Sequence, residues 1–235
     1  MALNIAEYLR NNFNQLLVKY QKYETRLNPQ AHQLTSVTKI DRYPGIFNAV
    51  KDCYPLNQRG PKKILSFGCS TGEECATLRN YFPGCEIVGA DINRKNLKKC
   101  REKFDDDYLS FIYSDPDLIR KESPYDIIFC LSVLCRWEET ELVNNCEDIY
   151  PFSRFEQQLN LLDQVLSPGG LLVIYNSNFR FSDSKLYRNY RVMNSCFIEE
   201  SGFVHKFDLK NNKIHEPYVE CIFKKSAAKS SLTNT

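Results

Sequence analysis

The chain has 235 residues, of which 43% are hydrophobic and 26% charged, a composition typical of an ordinary soluble globular protein. This length is sufficient for one well-buried core. A formal net charge of +2 excludes a global electrostatic attraction to nucleic acid or to an anionic membrane, so such a partner would need a local patch.

The first segment of the chain has the pattern of a helical cap. Apolar residues recur at helical spacing between Ile5 and Tyr20, which predicts an amphipathic helix. A polar stretch from Glu24 to Thr38 predicts a loop. Pro44 suits the first turn of a short helix that carries Ile46, Phe47 and Val50. We therefore predict an N-terminal helical cap over residues 1–55.

Short apolar runs and helical patterns then alternate along the chain. Strands are predicted at Lys63–Phe67, Glu86–Ala90, Leu109–Tyr113, Asp126–Leu134 and Leu171–Tyr175. Helices are predicted between them at Glu73–Tyr81, Asn93–Phe104 and Phe155–Leu166. Such alternation implies right-handed crossovers and a parallel sheet with helices on both faces. The prediction is a Rossmann-like, doubly wound α/β core over residues 56–225.

The end of the core has a different pattern. Two further strands, Phe203–Leu209 and Tyr218–Phe223, are separated by a short polar turn at Asn211–Asn212. This favours an antiparallel C-terminal hairpin at the edge of a mostly parallel, seven-stranded sheet. Residues 226–235 lack large apolar side chains, and we predict a disordered tail there.

Location and cysteine chemistry are predicted from what the sequence lacks. No N-terminal stretch has the pattern of a secretory signal, and the longest apolar run, Ile127–Cys135, is too short to span a bilayer. A cytoplasmic location is therefore expected.

The ten cysteines include no CxxC pair, and the three histidines lack metal-ligand spacing. Reduced structural thiols and no metal site are expected, with a catalytic cysteine as the alternative.

The most informative segment is the turn after the first predicted strand, Gly68-Cys-Ser-Thr-Gly72. In a doubly wound sheet, a glycine turn between the first strand and its helix forms a ligand site. Asp91 ends the second strand, 19 residues after Gly72, where a carboxylate can accept from both hydroxyls of a ribose. Asp91 could instead cap the helix that begins near Asn93.

The charges of this turn indicate which nucleotide it binds. A dinucleotide places its pyrophosphate at the helix N-terminus, but Glu73 and Glu74 occupy that position here. The absence of Gly-Lys-Ser/Thr excludes a P-loop. S-adenosylmethionine carries adenosine and two cationic groups without phosphate, so its charge suits this turn better.

At these residues the sequence resembles the class I S-adenosylmethionine-dependent methyltransferases. Gly68-Cys-Ser-Thr-Gly-Glu-Glu74 is most similar to the first motif of the chemotaxis-receptor methyltransferases, and Leu166-Ser-Pro-Gly-Gly170 resembles the family's approach to its fifth strand. The resemblance implies that the glycine loop holds the methionine part of S-adenosylmethionine, that Asp91 holds the ribose, and that Asp115 faces the adenine. Asp115 also fits an ordinary turn, because it stands in Asp-Pro-Asp.

The resemblance implies a larger cofactor site with ten members. These are Ser66, Gly68, Cys69, Ser70, Gly72, Asp91, Ile92, Ser114, Asp115 and Leu131. Two of them depart from the common family loop, which has an acidic residue at the place of Ser66 and a glycine at the place of Ser70. The chain also has Leu131-Ser132-Val133 where the chemoreceptor enzymes carry Arg-Asn before the valine. The cofactor is therefore inferred from the resemblance, and the protein-glutamate substrate is not.

Catalytic residues are harder to predict, because methyl transfer depends mainly on alignment and needs a base only when the acceptor must lose a proton. Glu138, Tyr175 and Asn176 are candidates, since they follow the fourth and fifth strands. We expect the N-terminal helix and the segment Asn178–Arg191 to form a lid over the acceptor. That segment, rich in aromatic and basic residues, fits an amphipathic helix packed on the sheet equally well.

The sequence therefore predicts a methyltransferase that acts on a small molecule or a peptide side chain, without a membrane partner. Two alternatives stay open. One is an RNA or other nucleic-acid methyltransferase that uses the basic and aromatic stretch Asn178–Arg191. The basic run Arg94–Lys103 also resembles a nucleic-acid patch, although a solvated helix face explains it as well. The other is a catalytically degenerate scaffold that only binds nucleotide or a partner protein.

Overall fold

The computed structural model describes residues 30–53, 62–193 and 202–227, together with the single positions 15, 16, 19, 23 and 28. The strands are β1 (Lys63–Phe67), β2 (Glu86–Asp91), β3 (Leu109–Tyr113), β4 (Tyr125–Leu131), β5 (Leu166–Tyr175), β6 (Tyr190–Val192), β7 (Lys206–Phe207), β8 (Lys213–Ile214) and β9 (Ile222–Lys225). The helices are α1 (Pro44–Asp52), α2 (Glu73–Tyr81), α3 (Arg94–Lys103), α4 (Pro116–Glu122), α5 (Trp137–Thr140) and α6 (Phe152–Val165).

A seven-stranded sheet in the order β3-β2-β1-β4-β5-β9-β6 organises the described residues. The first five strands of this order are parallel, and β9 runs antiparallel to both of its neighbours. Successive residues of β1 point to opposite faces: Leu65 belongs to one apolar cluster and Ile64 to the other. Helices cover both faces, so the predicted Rossmann-like fold is confirmed.

Strand order decides where a ligand can bind. The chain leaves β1 toward β2 and β3 on one side and reaches β4 and β5 on the other. In doubly wound sheets, the crevice at the carboxyl ends of strands beside this reversal is the ligand site. The glycine turn after β1, Asp91 at the end of β2 and the residues after β4 are therefore brought to one edge.

The predicted C-terminal hairpin differs in its strands. The turn at Asn211–Asn212 does join two antiparallel strands, and Asn211 has a left-handed φ of 64°. These strands are β7 and β8, which form a separate two-stranded sheet. In the main sheet, β9 pairs antiparallel with β5 on one side and with β6 on the other. The polar turn therefore predicts its hairpin correctly, but the next apolar run belongs to a different sheet.

The fourth strand is shorter than predicted. It ends at Leu131 and does not continue to Leu134, because Ser132 takes a left-handed conformation with φ of 58°. The turn exposes Ser132 and Val133 at the ligand edge instead of continuing the ladder. This difference matters for the site below.

Parts of the predicted domain organisation lie outside the described residues. The helix Ile5–Tyr20 does so except at positions 15, 16 and 19, and the tail does so from residue 228. The short helix after Pro44 is present as α1. No helix in the described ranges combines the length and the apolar content needed to cross a bilayer. Nor do those ranges contain a group of three or more His, Cys, Asp or Glu side chains placed to hold a metal ion.

Candidate functional site

The turn between β1 and α2 is built on left-handed backbone. Gly68 and Gly72 have φ of 81° and 92°, and Ser70 between them has φ of 52°. The backbone N–H groups of Gly68 and Cys69 donate to the carbonyl of Ala90 at 2.8 and 3.0 Å, which ties the turn to β2. A Cβ at Gly72 would lie 2.6 Å from the Phe104 ring. Glycine is required there by both conformation and space.

Asp91 is buried beneath this turn. Its Oδ2 accepts from the backbone N–H of Ser70 at 2.8 Å, and its Oδ1 accepts from that of Asn93 at 2.7 Å. Burial raises the pKa of Asp91 to about 6, although both hydrogen bonds oppose this shift. Each oxygen keeps acceptor capacity for a ligand hydroxyl. The side chain of Asn93 itself caps α3, so Asp91 is not needed as the helix cap.

A cavity open to solvent lies above the turn. Seven of the ten predicted cofactor residues line it: Gly68, Cys69, Ser70, Asp91, Ile92, Ser114 and Leu131. The buried hydroxyl oxygen of Ser70 has no hydrogen-bond partner among the described residues. A buried polar atom normally has a partner, so this hydroxyl is available to a ligand.

The other three predicted cofactor residues do not line the cavity. Ser66 lies within β1, and Gly72 is the N-cap residue of α2. Asp115 caps α4, where its Oδ1 accepts from the backbone N–H groups of Asp117 and Leu118 at 2.9 and 3.3 Å. Its geometry matches the turn alternative, and its role toward adenine stays a prediction.

Glu74 is a cavity residue that the sequence analysis did not include in the site. Its Oε1 accepts from the Ser66 hydroxyl at 2.7 Å, and burial raises its pKa to about 7. Glu73, by contrast, pairs with Lys103 at 2.6 Å and does not line the cavity. Glu74 thus brings a carboxylate to Ser66, the position where the resembled family commonly has an acid. Serine at position 66, where the resembled family commonly has an acid, is the feature of the sequence that indicates a carboxylate supplied by another residue.

The roof of the cavity is a segment without regular structure, residues 30–43, which we call the strap. The carbonyl of Ala31 accepts from Arg136 Nη2 at 2.6 Å and from Arg154 Nη2 at 2.7 Å. His32 Nδ1 lies 2.6 Å from the Tyr150 hydroxyl. Burial lowers the pKa of His32 to about 3, so this ring is neutral near pH 7. Because its sequence is polar and aperiodic, the strap was predicted only as a loop.

The predicted catalytic residues are distributed unequally around the cavity. Asn176 donates through Nδ2 to Tyr43 and Ser132, which both line the cavity. The ring of Tyr175 packs edge-on against Tyr43 at a centroid distance of 5.3 Å. Glu138 is exposed on α5 and does not line the cavity. The side chain of Asn176 therefore contacts the cavity wall through hydrogen bonds.

The segment Asn178–Arg191 is not a lid over this cavity, which corrects the prediction. Phe179 and Phe181 are fully buried and belong to an apolar cluster with α6 and β9. Arg180 pairs with Asp183 at 2.9 Å. None of the residues 178–191 lines the cavity. The aromatic residues serve the core, and the strap provides the cover that this segment was expected to provide.

The basic residues of α3 are partly engaged within the protein. Arg101 donates to the carbonyl of Phe111 at 2.6 Å, Lys103 pairs with Glu73, and Lys98 pairs with Glu102 at 3.7 Å. These contacts fit the interpretation of α3 as a solvated helix face rather than a nucleic-acid patch.

Residues 65–172 match a family model described as "Methyltransferase domain". The match runs from within β1 to within β5 and includes the glycine turn and Asp91. It supports the resemblance stated from those residues. A curated relative, demethylmenaquinone methyltransferase of Thermus thermophilus, is 26% identical over 117 residues, which are 50% of this chain and 48% of that protein. The chain thus spans about half the length of this relative.

Solved methyltransferase structures are similar to the chain at low identity. The plantazolicin methyltransferase BpumL in complex with S-adenosylhomocysteine (SAH) is 18% identical, with a TM-score of 0.40 over 55% of this chain and 44% of that one. CalS10, an amino pentose methyltransferase of Micromonospora echinaspora, is 17% identical, with a TM-score of 0.41 over 67% and 55%. A putative caffeoyl-CoA O-methyltransferase of Staphylococcus aureus is 13% identical, with a TM-score of 0.41 over 72% of each chain. The chemotaxis-receptor likeness of the first motif stays a prediction.

Proposed function

We propose that this chain is an S-adenosylmethionine-dependent methyltransferase whose acceptor is a small molecule or a peptide side chain. The observation that carries the proposal is the cavity at the carboxyl edge of the sheet, where the Asp91 carboxylate, the Glu74 carboxylate and the unpartnered Ser70 hydroxyl face one space. These three residues lie within residues 65–172, the segment that matches a methyltransferase domain.

The donor set suits the charge of S-adenosylmethionine. Asp91 would accept from the ribose hydroxyls, Ile92 and Leu131 offer apolar walls for the adenine, and Glu74 would face the cationic methionine end. A phosphate would be repelled by the buried Asp91 carboxylate, because like charges repel strongly where water is excluded. The residues present therefore fit this cofactor and not a dinucleotide.

The bound cofactor would supply an activated methyl group, and the chain would supply position. Asp91, Ser70 and Glu74 fix the cofactor from below, and the strap covers it from above. Fixing both reactants in line contributes most of the rate in such displacements. The strap would also keep bulk water from the reacting atoms.

The first prediction is that the protein binds S-adenosylmethionine and S-adenosylhomocysteine (SAH) but not NAD, and that Asp91→Ala weakens this binding. The expected loss is about 1.5–3 kcal/mol, the range for a hydrogen bond to a charged group. Isothermal titration calorimetry measures it. Asp107→Ala, which removes an exposed carboxylate away from the cavity, is the matched control and should bind like the wild type.

Wild-type affinity in Asp91→Ala would remove the ribose assignment. Binding of NAD with similar affinity would remove the cofactor itself from the proposal. A protein that binds SAH but transfers no methyl group to any acceptor would support the scaffold alternative.

A further inference from the structure

Three polar side chains meet at the carboxyl ends of β4 and β5, and we call them the acceptor cluster: Tyr43, Ser132 and Asn176. The Tyr43 and Ser132 hydroxyl oxygens are 2.7 Å apart. Asn176 Nδ2 donates to both of them, at 3.2 Å to Tyr43 and at 3.1 Å to Ser132. Tyr43 and Ser132 line the cavity, and Asn176 lies behind them, 2% exposed.

A count of protons shows what this cluster can offer to a ligand. The two amide protons of Asn176 are used by the two hydroxyl oxygens. One hydroxyl donates to the other, and each hydroxyl carries one proton. One hydroxyl proton is left over, and the contacts of the described residues provide no acceptor for it. The cluster therefore has one hydroxyl proton and one hydroxyl lone pair left for a ligand.

The orientation of the Asn176 amide is fixed, so that its Nδ2 and Oδ1 cannot exchange places. Its Oδ1 accepts from the backbone N–H of Phe203 at 3.2 Å, which fixes the amide orientation and keeps Nδ2 toward the hydroxyls. Gly202, with φ of 78°, packs so closely on Oδ1 that any Cβ at this position would overlap it. Asn176 is thus a positioning residue for Tyr43 and Ser132.

The charges beside the cluster are positive. Arg42 and Lys39 of the strap line the same cavity, and the Arg42 guanidinium lies 5.0 Å from the centre of the Tyr43 ring. Asp91 and Ser114, which belong to the predicted nucleoside side, come from β2 and β3 at the other side of β1. A donor hydroxyl beside the Arg42 guanidinium, in a cavity that Lys39 and Glu74 also line, suits an anionic oxygen that Arg42 attracts.

We propose that the acceptor cluster binds the methyl acceptor through an oxyanion, a carboxylate or a phenolate, so that the acceptor is an oxygen nucleophile and not an amine. This inference rests on the proposed function. An oxyanion can accept the cluster's hydrogen bond with one lone pair and attack with another. A neutral amine nitrogen that accepted this hydrogen bond would have no second lone pair for attack, and a protonated amine such as benzylammonium would be repelled by Arg42 and Lys39.

The proposed transfer of the methyl group from sulfur to the acceptor oxygen balances in atoms and electrons without a catalytic base. The acceptor oxygen forms the new C–O bond with a lone pair, the bond between the methyl carbon and sulfur breaks, and its electron pair stays on sulfur. No proton is released, because the acceptor arrives ionised. Arg42 and Lys39 would favour the ionised form of the bound acceptor.

The test uses the full chain saturated with SAH and three small probes of similar size: benzoate, 4-nitrophenolate and benzylamine. Binding is measured by ligand-observed NMR titration up to about 10 mM, a range that detects weak fragments. We expect at least one oxyanion to bind and benzylamine not to bind. Tyr43→Phe should weaken the oxyanion about fivefold or more, the loss of one hydrogen bond, and should change the Kd for SAH by a smaller factor.

Two further variants make the result specific. Ser132→Gly deletes the second hydroxyl at a left-handed position that glycine adopts without strain, so it should fold and reproduce the effect. Tyr187→Phe removes a hydroxyl that contacts Glu220 away from the cavity, and it should bind the probes like the wild type.

Three results would overturn the proposal: neither oxyanion binds, benzylamine binds in a Tyr43-dependent manner, or Tyr43→Phe weakens SAH as much as the probe. The last would assign the cluster to the cofactor. Failure of the proposed function is distinct, since it shows as absent SAH binding to the wild type before any probe is added. Titration of the probes without SAH then still decides what the cluster binds.

Discussion

Single residues of the site were predictable where their role is local. Gly68, Gly72 and Asp91 follow from a strand, a turn and a second strand, which are all readable along the chain. Glu74 was visible at the start of α2, yet its place in the cavity depends on a hydrogen bond to Ser66 eight positions earlier. Ser132 was assigned to a strand interior, because nothing in its neighbourhood indicates its left-handed backbone.

The raised pKa of Glu74 gives a pH-dependent prediction. Burial raises this pKa from 4.5 to about 7, so below that pH the free protein holds the carboxyl neutral, and an ammonium group gains little from it. The affinity for SAH should therefore increase as the pH rises, by up to about tenfold between about pH 6 and about pH 8. Calorimetry at both pH values measures the change.

Glu74→Gln should reduce the pH dependence of the affinity for SAH. The smaller dependence that remains would come from Asp91, whose pKa is about 6. Glu102→Gln, which changes an exposed carboxyl on α3, is the control and should keep the wild-type slope. An equal slope in Glu74→Gln would show that this carboxyl does not face the cofactor's cation. In the free protein the sign is opposite: stability falls as the pH rises from 4.5 through about 7, because the folded state holds the proton longer.

At the level of elements, periodic segments were predicted well and aperiodic ones were not. β1, α2 and β3 have the predicted bounds, since apolar spacing alone defines them. The strap has no periodicity, and its position depends on Ala31, whose only polar groups are in its backbone. The segment Asn178–Arg191 was misread because buried phenylalanines and a ligand-binding aromatic patch have the same composition.

The strap provides the prediction at this scale. Arg154→Ala removes one of the two guanidinium donors to the Ala31 carbonyl and should loosen residues 30–43. We expect the affinity for SAH to fall by about 1–2 kcal/mol, the contribution of a charge-assisted hydrogen bond, with faster amide exchange in the strap. Hydrogen-exchange mass spectrometry and calorimetry measure the two effects.

Arg188→Ala, an exposed arginine beyond the cavity, is the control for Arg154→Ala and should change neither quantity. Unchanged exchange in the strap of Arg154→Ala would mean that Arg136 alone fastens it. Faster exchange with unchanged affinity would mean that the strap does not contribute to cofactor binding.

For the whole molecule, the strand order explains why one sequence motif predicted so much. The sheet places the ends of β1, β2 and β4 side by side, so a turn and an acid that are distant in sequence meet in one cavity. An antiparallel last strand near the sheet edge was predictable and is present as β9, but its outer neighbour β6 was not, because this short strand has no apolar run of its own.

The prediction at this scale is thermal. A ligand that binds only the folded state at about 100 times its Kd stabilises it by about 2.7 kcal/mol. For a chain of this size each kcal/mol raises Tm by about 2–4 °C, so SAH should raise Tm by roughly 5–10 °C. Differential scanning fluorimetry measures it, with NAD as the matched nucleotide. An equal shift with NAD, or none with SAH, would contradict the cofactor assignment.

Tyr43 belongs at once to the strap and to the acceptor cluster, and this shared membership has a kinetic consequence under the proposed function. Any opening of the strap that lets the cofactor exchange also withdraws a hydroxyl from Ser132 and Asn176. An acceptor that binds to the closed strap first would therefore block entry of the cofactor, so productive binding requires that the cofactor enters first. Turnover would follow a compulsory order, in which the methylated product departs first and SAH leaves last.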